Sequence, residues 1–349
     1  MRRLTRTPPF RGPDGEVVPG SIAEAGYLRL GGIDQWVMIR GESIANPPLV
    51  LLHGGPGMSE TFFFRYFNAP MEKHFTAVYW DQRGTGRSFG RAIPRSSMTV
   101  ERFIADLDEL VEAVRGRTAQ RRVAIFGHSW GSTLGALYAA RFPEKVSVYV
   151  GGAQIADAAA SESASYAWAL AEAERRGNRR ALKALRAIGS PPYDARCLMT
   201  ERTWVNRFEG HLGARGMWEM GRIFLGAPES SLLDLPGMVR GFRFSLDAMW
   251  AEVSALDLNA LVPALRMPVF LFLGRRDHWV PPETSVAWFD ALAAPAKTLV
   301  WFEESSHEMF ADEPAKFNAA MIELVRPAAA GPAPAREERG AAARLAATA

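Results

Sequence analysis

Residues 123–143 read VAIFGHSWGSTLGALYAARFP, and this stretch decides the fold of the chain. The apolar run Val123 to Phe126 predicts a strand, and the alanine-rich segment Ser132 to Phe142 predicts a helix that stops at the next proline. Between them, Gly127-His128-Ser129-Trp130-Gly131 fits G-x-S-x-G, the tight turn that presents a nucleophilic serine. The motif alone is weak because glycine and serine are common in loops, but here a strand and a helix flank it. We therefore predict that Ser129 is a nucleophile.

Short apolar runs recur on both sides of this stretch and alternate with segments of helical pattern. They lie at Leu49 to Leu52, Phe75 to Trp80, Arg122 to Phe126, Val146 to Val150, Val269 to Leu273 and Thr298 to Phe302. Fully apolar runs suit parallel strands that helices cover on both faces. An earlier segment, Gly26 to Arg40, alternates around Gly31-Gly32 and predicts an antiparallel hairpin. The pattern predicts an α/β fold whose central sheet is mostly parallel and flanked by helices.

The clearest helix between these strands begins near Thr99. Its apolar residues from Val100 to Val114 follow the spacing of one helical face, while Asp106 and three other acidic residues occupy the other faces. Residues 154–262 break the alternation, being helical in tendency and rich in Trp and Phe. Ligands bind at the carboxyl edge of open α/β sheets, so an insertion after the sixth strand predicts a helical cap over that edge.

The chain therefore divides into four predicted regions. The core comprises residues 21–153 and 263–326, and the cap comprises residues 154–262. Residues 1–20 are rich in Pro, Gly and Arg and predict a flexible arm, while the alanine-rich residues 327–349 predict a disordered tail. We expect neither end to take part in the chemistry.

The amino-acid composition and net charge indicate which kinds of molecule the chain could bind. The chain has 349 residues, of which 48% are hydrophobic and 23% charged, so it can bury a large core. Its net charge is only +3, with much of the basic excess at the ends and no basic stripe interleaved with aromatics. We therefore expect no nucleic-acid partner. The run Arg175 to Arg180 is typical of a solvated helix face.

The cellular compartment follows from what the chain lacks. One cysteine, Cys197, excludes an intramolecular disulfide, as expected in a reducing compartment. The basic, proline-rich N-terminus has no apolar segment of the kind that a secretory signal needs. No stretch approaches the roughly 20 apolar residues of a membrane span. We expect a cytoplasmic protein with no membrane partner.

A serine hydroxyl needs a base to take its proton and a carboxylate to orient that base. Where the serine lies in a G-x-S-x-G turn between strand and helix, the chain order is serine, acid, histidine. Asp277 follows the run Val269 to Leu273 by a short loop, and His307 follows Thr298 to Phe302 by another. Both therefore project from the sheet edge that carries Ser129. We predict that His307 is the base and Asp277 its orienting acid.

Other residues could fill these two roles. His278 adjoins Asp277 and could be the base, but the loop after the last predicted strand would then contain no catalytic residue. His128 is held in the turn, and we expect it to point away from the serine. Three other acids remain as alternatives: Asp257, Asp290 and Asp312. Helix or loop charges explain those three better.

The oxyanion of an acyl-transfer intermediate needs two backbone amides, one from the residue after the nucleophile and one from an earlier loop. Trp130 supplies the first. The loop His53-Gly54-Gly55-Pro56-Gly57 follows an apolar strand, and we predict Gly55 as the second donor with Gly54 as the close alternative. Without Ser129 downstream, this loop would be an ordinary Gly-Pro turn.

Three motifs, taken in order, resemble the prolyl aminopeptidase (proline iminopeptidase) family of α/β-hydrolases. They are HGGPG at residues 53–57, DQRGTGRS at 81–88 and GHSWGS at 127–132. With the Asp277 and His307 loops, the resemblance covers most of residues 25–325. It implies the α/β-hydrolase fold and an exopeptidase that releases an N-terminal residue, often proline, from a short peptide or similar small substrate.

The resemblance also implies a helical cap whose glutamates bind the free α-amine. The family's Trp-x-x-Trp-Glu-like segment has its nearest match in Trp204-Val205-Asn206-Arg207-Phe208-Glu209, where Phe replaces Trp and the spacing is one residue longer. Glu209 and Glu219 are the candidate amine ligands, and Gly54 is a further candidate for substrate binding. Ion pairs with neighbours such as Arg207 or Arg222 are the alternative explanation for the two glutamates.

These observations favour a serine hydrolase that acts through an acyl-enzyme. An aminopeptidase leads, and an esterase or amidase on a small hydrophobic acyl substrate is the alternative. A non-catalytic binding protein on the same fold is a third possibility, because fold alone does not fix function. Epoxide hydrolases and dehalogenases would need a carboxylate at position 129. The sequence contains no His-Glu-x-x-His or clustered ligand spacing, so we expect no metal and no cofactor.

Overall fold

The apolar runs form one eight-stranded sheet in the computed structural model, which describes residues 7–208 and 217–330. Its strands are β1 (Ile22–Leu30), β2 (Ile33–Gly41), β3 (Pro48–Leu52), β4 (Thr76–Trp80), β5 (Val123–His128), β6 (Val146–Gly152), β7 (Val269–Gly274) and β8 (Lys297–Phe302). The order across the sheet is β1-β2-β4-β3-β5-β6-β7-β8. β1 and β2 form the predicted antiparallel hairpin, β2 pairs antiparallel with β4, and all other pairs are parallel. The prediction of a mostly parallel sheet is confirmed.

Helices surround this sheet and cross over it. They are α1 (Thr61–Asn68), α2 (Val100–Thr118), α3 (Trp130–Arg141), α4 (Ala158–Arg175), α5 (Arg179–Ile188), α6 (Ala195–Arg207), α7 (Met217–Gly226), α8 (Leu235–Val253), α9 (Leu258–Leu261), α10 (Pro282–Ala291), α11 (Met309–Asp312), α12 (Pro314–Ala320) and α13 (Arg326–Ala330). A π-helical turn, Met321–Val325, joins α12 to α13. Along the described ranges, no helix is long and apolar enough to cross a membrane.

The two faces of the sheet bury two separate apolar clusters. Side chains alternate along a strand, so Val50 and Leu52 of β3 enter one cluster while Leu49 and Leu51 enter the other. Helices α2, α3 and α10 cover the first face, and α1, α11 and α12 cover the second. Because both faces are covered, the parallel strands are apolar throughout, as the sequence pattern indicated.

Helix α2 contains one correction to the sequence analysis. Thr99 caps the helix by accepting a hydrogen bond from the Arg102 amide, as a threonine before a helical run does. The predicted apolar face packs on the sheet. However, Asp106, which the helical periodicity assigns to the polar faces, is fully buried and pairs with Arg83 at 2.8 Å. The helical pattern predicts exposure for Asp106 because the residue is charged. In the structure, Asp106 is buried because it pairs with the buried guanidinium of Arg83.

Helices α4 to α9 lie between β6 and β7 in the chain, which is the insertion point that we predicted for the cap. A smaller apolar cluster inside this insertion joins α4, α5 and α6 through Ala169, Leu185 and Trp204. At the N-terminal end, Arg40 of β2 donates hydrogen bonds to Thr7 and to the carbonyl of Pro8. At the other end, α13 includes residues 327–330 of the predicted tail. The rest of that tail and residues 1–6 lie outside the described residues.

Candidate active site

Ser129 lies at the sharp turn from β5 into α3. Its backbone has φ 54° and ψ −123°, a strained conformation for a residue with a side chain. The turn is possible because Gly127 and Gly131 have no side chains: a Cβ on either would lie 2.2 Å from a backbone oxygen, that of Gly131 or that of Leu52 respectively. The serine is thereby held at the carboxyl end of β5, next to the amide of Trp130. As the first residue of α3, Trp130 has no carbonyl within its helix to bond.

Asp277 and His307 meet beyond the carboxyl ends of β7 and β8. The Nδ1 atom of His307 lies 2.8 Å from Oδ2 of Asp277, and both side chains are 2% exposed. The other carboxylate oxygen accepts hydrogen bonds from the amides of Trp279 and Val280, each at 2.9 Å, which fixes the carboxylate. A carboxylate accepts, so Nδ1 of His307 donates and Nε2 is left as the basic nitrogen. Burial lowers the pKa of His307 although the nearby Asp277 opposes this, so the imidazole is neutral at neutral pH.

A cavity of about 270 Å³ brings these elements together. Ser129, His307, Gly54 and Gly55 line its core side. Helices α4, α6 and α8 of the insertion line the opposite side. Most of those cap residues are apolar or neutral: Leu198, Met199, Thr203, Asn206, Phe242, Leu246 and Trp250. The site is therefore a mostly apolar chamber between the sheet edge and the cap, as ligand sites in this kind of fold commonly are.

Gln82, from the second motif, connects the glycine loop with the serine turn. Its Nε2 donates to the carbonyl of His53 at 3.1 Å, and its Oε1 accepts from Nε1 of Trp130 at 3.0 Å. The ring of His53 is fixed as well, because its Nδ1 donates to the Gly54 carbonyl and its Nε2 accepts from the backbone amide of Gln82. Burial lowers the pKa of His53, so it remains neutral in this role. The two predicted oxyanion segments are thus held by one side chain.

Three carboxylates that the sequence analysis did not single out line the cavity: Glu60, Glu162 and Glu308. Glu60 precedes α1, and its Oε1 accepts hydrogen bonds from the Gly54 amide at 3.1 Å and from His128 at 2.8 Å. His128 was expected to point away from the serine, but it lines the same cavity. Burial opposes the charge of His128, yet Glu60 and the His307 carbonyl outweigh this, and the pKa of His128 lies above its usual value.

Glu162 belongs to a buried cluster of charges on α4 and α6. Arg202 pairs with Glu162 and, at 2.6 Å, with Glu201, so two carboxylates share one guanidinium. Ser165 donates to Glu201 at 2.7 Å and braces the cluster. Burial and the neighbouring Glu201, opposed by Arg202, raise the pKa of Glu162 to about 7. Its Oε2 atom is buried without a hydrogen-bond partner among the described residues.

Among the described residues, neither of the two amine ligands suggested by the family resemblance lines the cavity. Glu209 lies outside the described residues. Glu219 is in the first turn of α7 and is not among the residues that line the described cavity. In the motif segment, Trp204 and Phe208 pack in the small apolar cluster of the cap, and the Arg207 guanidinium lies over the Trp204 ring at 4.7 Å. No local pattern marks Glu162, since it is one of many charges on amphipathic helices, whereas Glu308 adjoins the predicted base.

The alternative base and acids lie elsewhere. His278 stacks on the ring of Trp168 with ring centroids 3.8 Å apart, while the Asp277 carboxylate bonds His307 instead. Asp257 caps α9, and Asp290 is exposed at the end of α10. Asp312 accepts hydrogen bonds from the amide and hydroxyl of Ser306. These contacts account for Asp257 and Asp312 as helix or loop charges.

Comparison with known proteins agrees with this fold. Residues 49–320 match the alpha/beta hydrolase family, and the chain belongs to that family. Within it, the chain is related to the proline iminopeptidases. A protein of Bacillus subtilis (strain 168) named "Probable aminopeptidase YbaC" is 30% identical over 301 residues, covering 85% of this chain and 94% of that protein. The proline iminopeptidase of Neisseria gonorrhoeae is 38% identical over 126 residues, which are 35% of this chain and 37% of that protein.

Solved structures show the same architecture. The proline iminopeptidase of Mycobacterium smegmatis superimposes with a TM-score of 0.64 at 17% identity, covering 88% of this chain and 99% of that one. An epoxide hydrolase from Bacillus megaterium also superimposes, with a TM-score of 0.57 at 17% identity, covering 86% of this chain and 100% of that one. These likenesses show the fold, and the chemistry depends on the residues of the site.

Proposed function

We propose that this hydrolase is a serine aminopeptidase, which cleaves the bond after an N-terminal residue through an acyl-enzyme. Ser129 attacks the carbonyl carbon, and Nε2 of His307 takes the hydroxyl proton and passes it to the leaving amine. Water, activated by the same nitrogen, then releases the acyl group. Asp277 orients His307 and stabilises the imidazolium. The 2.8 Å contact of Asp277 with His307, and the shared cavity of His307 and Ser129, support these roles.

The amides of Gly55 and Trp130 are assigned to the oxyanion. The Gly54 amide is already bonded to Glu60 at 3.1 Å, which favours Gly55 over the alternative. Gln82 acts as a positioning residue, since it holds both the glycine loop and the Trp130 side chain. Donors fixed before the reaction are what make such a site effective, because no reorganisation is needed when charge develops.

Glu162 is assigned to the α-amine of the substrate. The observation that carries the proposal is the buried charge cluster of Glu162, Glu201 and Arg202 on the cavity wall. Two carboxylates share the single guanidinium of Arg202, so the cluster carries one net negative charge whenever Glu162 is ionised. The Oε2 atom of Glu162 is buried without a partner among the described residues, so a bound ammonium would supply the missing hydrogen bond. Glu60 is less suited, because the raised pKa of His128 favours a compensating positive charge beside it. Glu209 stays a prediction.

An esterase or amidase is the second candidate, because the cap wall around Leu198, Leu246 and Trp250 is apolar and suits an uncharged acyl group. The nucleophile is tested first for both. A fluorophosphonate probe should label the wild type and leave Ser129→Ala unlabelled. Labelling that persists in Ser129→Ala would reject Ser129 as the nucleophile, and absence of labelling in the wild type would favour a binding protein.

Substrate class is tested by kcat/KM on a proline arylamide and on p-nitrophenyl acetate. Glu162→Gln should reduce arylamide hydrolysis at least tenfold and leave ester cleavage within about twofold, as expected for loss of a charged hydrogen bond worth about 1.5–3 kcal/mol. Glu174→Gln is the matched control on the same helix, since Glu174 is exposed and pairs with Arg186. Ester cleavage without any arylamide turnover would favour the esterase.

A further inference from the structure

A second concavity, of about 760 Å³, lies on the cap between α5, α6 and α8. Helix α6 provides one wall through residues three and four apart, so that Arg196, Thr200, Thr203 and Arg207 share one face. Helices α5 and α8 supply the other walls. We call this concavity the arginine groove, because four arginines line it: Arg180, Arg196, Arg207 and Arg243.

The arginine groove adjoins the cavity that contains Ser129. Four residues line both: Met199, Thr203, Phe242 and Leu246. Met199 is 41% exposed whereas Leu246 is 4% exposed, so the shared boundary is accessible at Met199, and we call that part of it the mouth. If Glu162 holds the amine at the inner end, the part of the substrate beyond the scissile bond extends through this mouth. The arginine groove is therefore where the leaving group would lie.

Among residues 7–208 and 217–330, the charges of the arginine groove have no carboxylate partners. All four arginines are exposed. The one acidic residue in the lining, Asp247, is paired with Arg95 at 2.6 Å. Guanidinium groups bind carboxylates through paired hydrogen bonds, which a solvated lysine does less well.

From this shared boundary and this charge we infer that the arginine groove binds a carboxylate on the leaving-group side of the substrate. The preferred substrates are then short peptides whose released part is anionic, through a free C-terminus or an acidic side chain. The inference rests on the proposed aminopeptidase function, because it places the amine at Glu162 and the released peptide at the mouth.

The test compares kcat/KM for three substrates: Pro-Ala with a free carboxylate, Pro-Ala amide and Pro-Glu amide. We expect a preference of about tenfold for the free acid over the amide at low salt, as several exposed ion pairs would give. About 1 M NaCl should bring the ratio close to one. If kcat/KM for Pro-Glu amide equals that for Pro-Ala, the groove accepts a side-chain carboxylate as well as a C-terminal one. If kcat/KM for Pro-Glu amide equals that for Pro-Ala amide, the groove binds only the C-terminal carboxylate.

Variants locate the effect. The triple substitution Arg180→Gln, Arg196→Gln and Arg243→Gln should reduce the acid-to-amide ratio to below about twofold. Matched controls are Arg179→Gln on α5 and Arg240→Gln on α8, which are exposed but do not line the arginine groove, and their ratio should equal that of the wild type. A wild-type ratio near one, or an unchanged ratio in the triple variant, would overturn the inference.

Failure of the aminopeptidase proposal is recognised separately. If none of the peptides is cleaved, the same comparison is made with p-nitrophenyl acetate and 3-carboxy-4-nitrophenyl acetate, whose leaving groups differ by one carboxylate. A preference for the carboxylated ester that the triple variant loses would support the arginine groove without the peptidase. Equal rates on the two esters would reject the arginine groove as well.

Discussion

His307 illustrates how burial and charge oppose each other at one side chain. Removal from water disfavours its charged form, while Asp277 at 2.8 Å favours it, and burial is the larger effect. A base must be neutral to accept a proton, so this balance would keep His307, as the proposed base, competent at lower pH than an ordinary histidine.

We therefore expect the acid limb of ester hydrolysis to lie below pH 6.5, which is the usual pKa of histidine. The lowered pKa of His307 means that protonation, and with it loss of activity, begins only at lower pH. The measurement is kcat/KM on p-nitrophenyl acetate between pH 4.5 and 8, corrected with Ser129→Ala. A limb at pH 7 or above would contradict the assignment.

Peptide substrates should have a different acid limb. Amine binding needs an ionised Glu162, and its pKa is raised to about 7. Arylamide hydrolysis should therefore decline below pH 7 through a rising KM, while ester hydrolysis continues. The limb should move to that of the ester in Glu162→Gln. Identical acid limbs for both substrates in the wild type would contradict amine binding by Glu162.

The serine turn makes a prediction about stability. A methyl group at position 131 would meet the Leu52 backbone at 2.2 Å, so Gly131→Ala should lower the free energy of unfolding by about 3 kcal/mol, at the upper end for overpacking. Gly116→Ala is the control, because that exposed glycine in α2 has open space around it. It should raise the free energy of unfolding by about 0.5–1 kcal/mol. Urea denaturation measures both, and equal effects would contradict the geometry.

Among single residues, those that the sequence predicts as site residues are the ones that belong to a local sequence pattern. Ser129 has its glycines, and Asp277 and His307 each follow an apolar strand by a short loop. Glu60, Glu162 and Arg202 have no such mark, because cap and loop residues reach the cavity only through packing. Their roles depend on contacts between segments far apart in the chain, which no local spacing encodes.

At the scale of elements, α2 is fastened to the loop after β4 by the pair of Asp106 and Arg83. Asp106 also accepts from Gln35 at 2.7 Å, and Arg83 donates to the carbonyl of Gly31. The pair therefore links the helix to the hairpin and to the second motif. Periodicity predicted the helix and its apolar face, but not this buried acid.

Breaking this pair should be costly. Asp106→Asn would leave a buried guanidinium without its counter-charge, so we expect a loss of about 3 kcal/mol in the free energy of unfolding. Glu101→Gln on the same helix, which removes an exposed pair with Arg141, should change it by less than about 0.5 kcal/mol. Chemical denaturation checks both. A similar small loss in the two variants would show that the buried pair is dispensable.

For the whole molecule, the cavity has walls from both the sheet edge and the cap. A product bound between Ser129 and Glu162 therefore ties the two parts together, and any ligand that binds only the folded state stabilises it. Topology and the insertion point could be predicted because apolar runs and helical segments alternate. The shape of the cavity could not, since it depends on how α4, α6 and α8 pack.

Proline should accordingly raise the melting temperature, with about 2.7 kcal/mol of added stability at a concentration 100 times its Kd. N-acetylproline, which lacks the basic amine, should give a much smaller shift. Glu162→Gln should remove the difference between the two compounds. Equal shifts in the wild type would contradict recognition of the amine in this cavity.

The insertion of the cap also has a consequence for synthesis. Ser129 precedes the cap in the chain, whereas Asp277 and His307 follow it. A growing chain on the ribosome thus contains the proposed nucleophile early but receives the proposed base only after about nine-tenths of the described residues have been made. Under the proposed mechanism, any product truncated before residue 307 would lack the base that activates Ser129, so unfinished chains would hydrolyse peptides far more slowly than the complete protein.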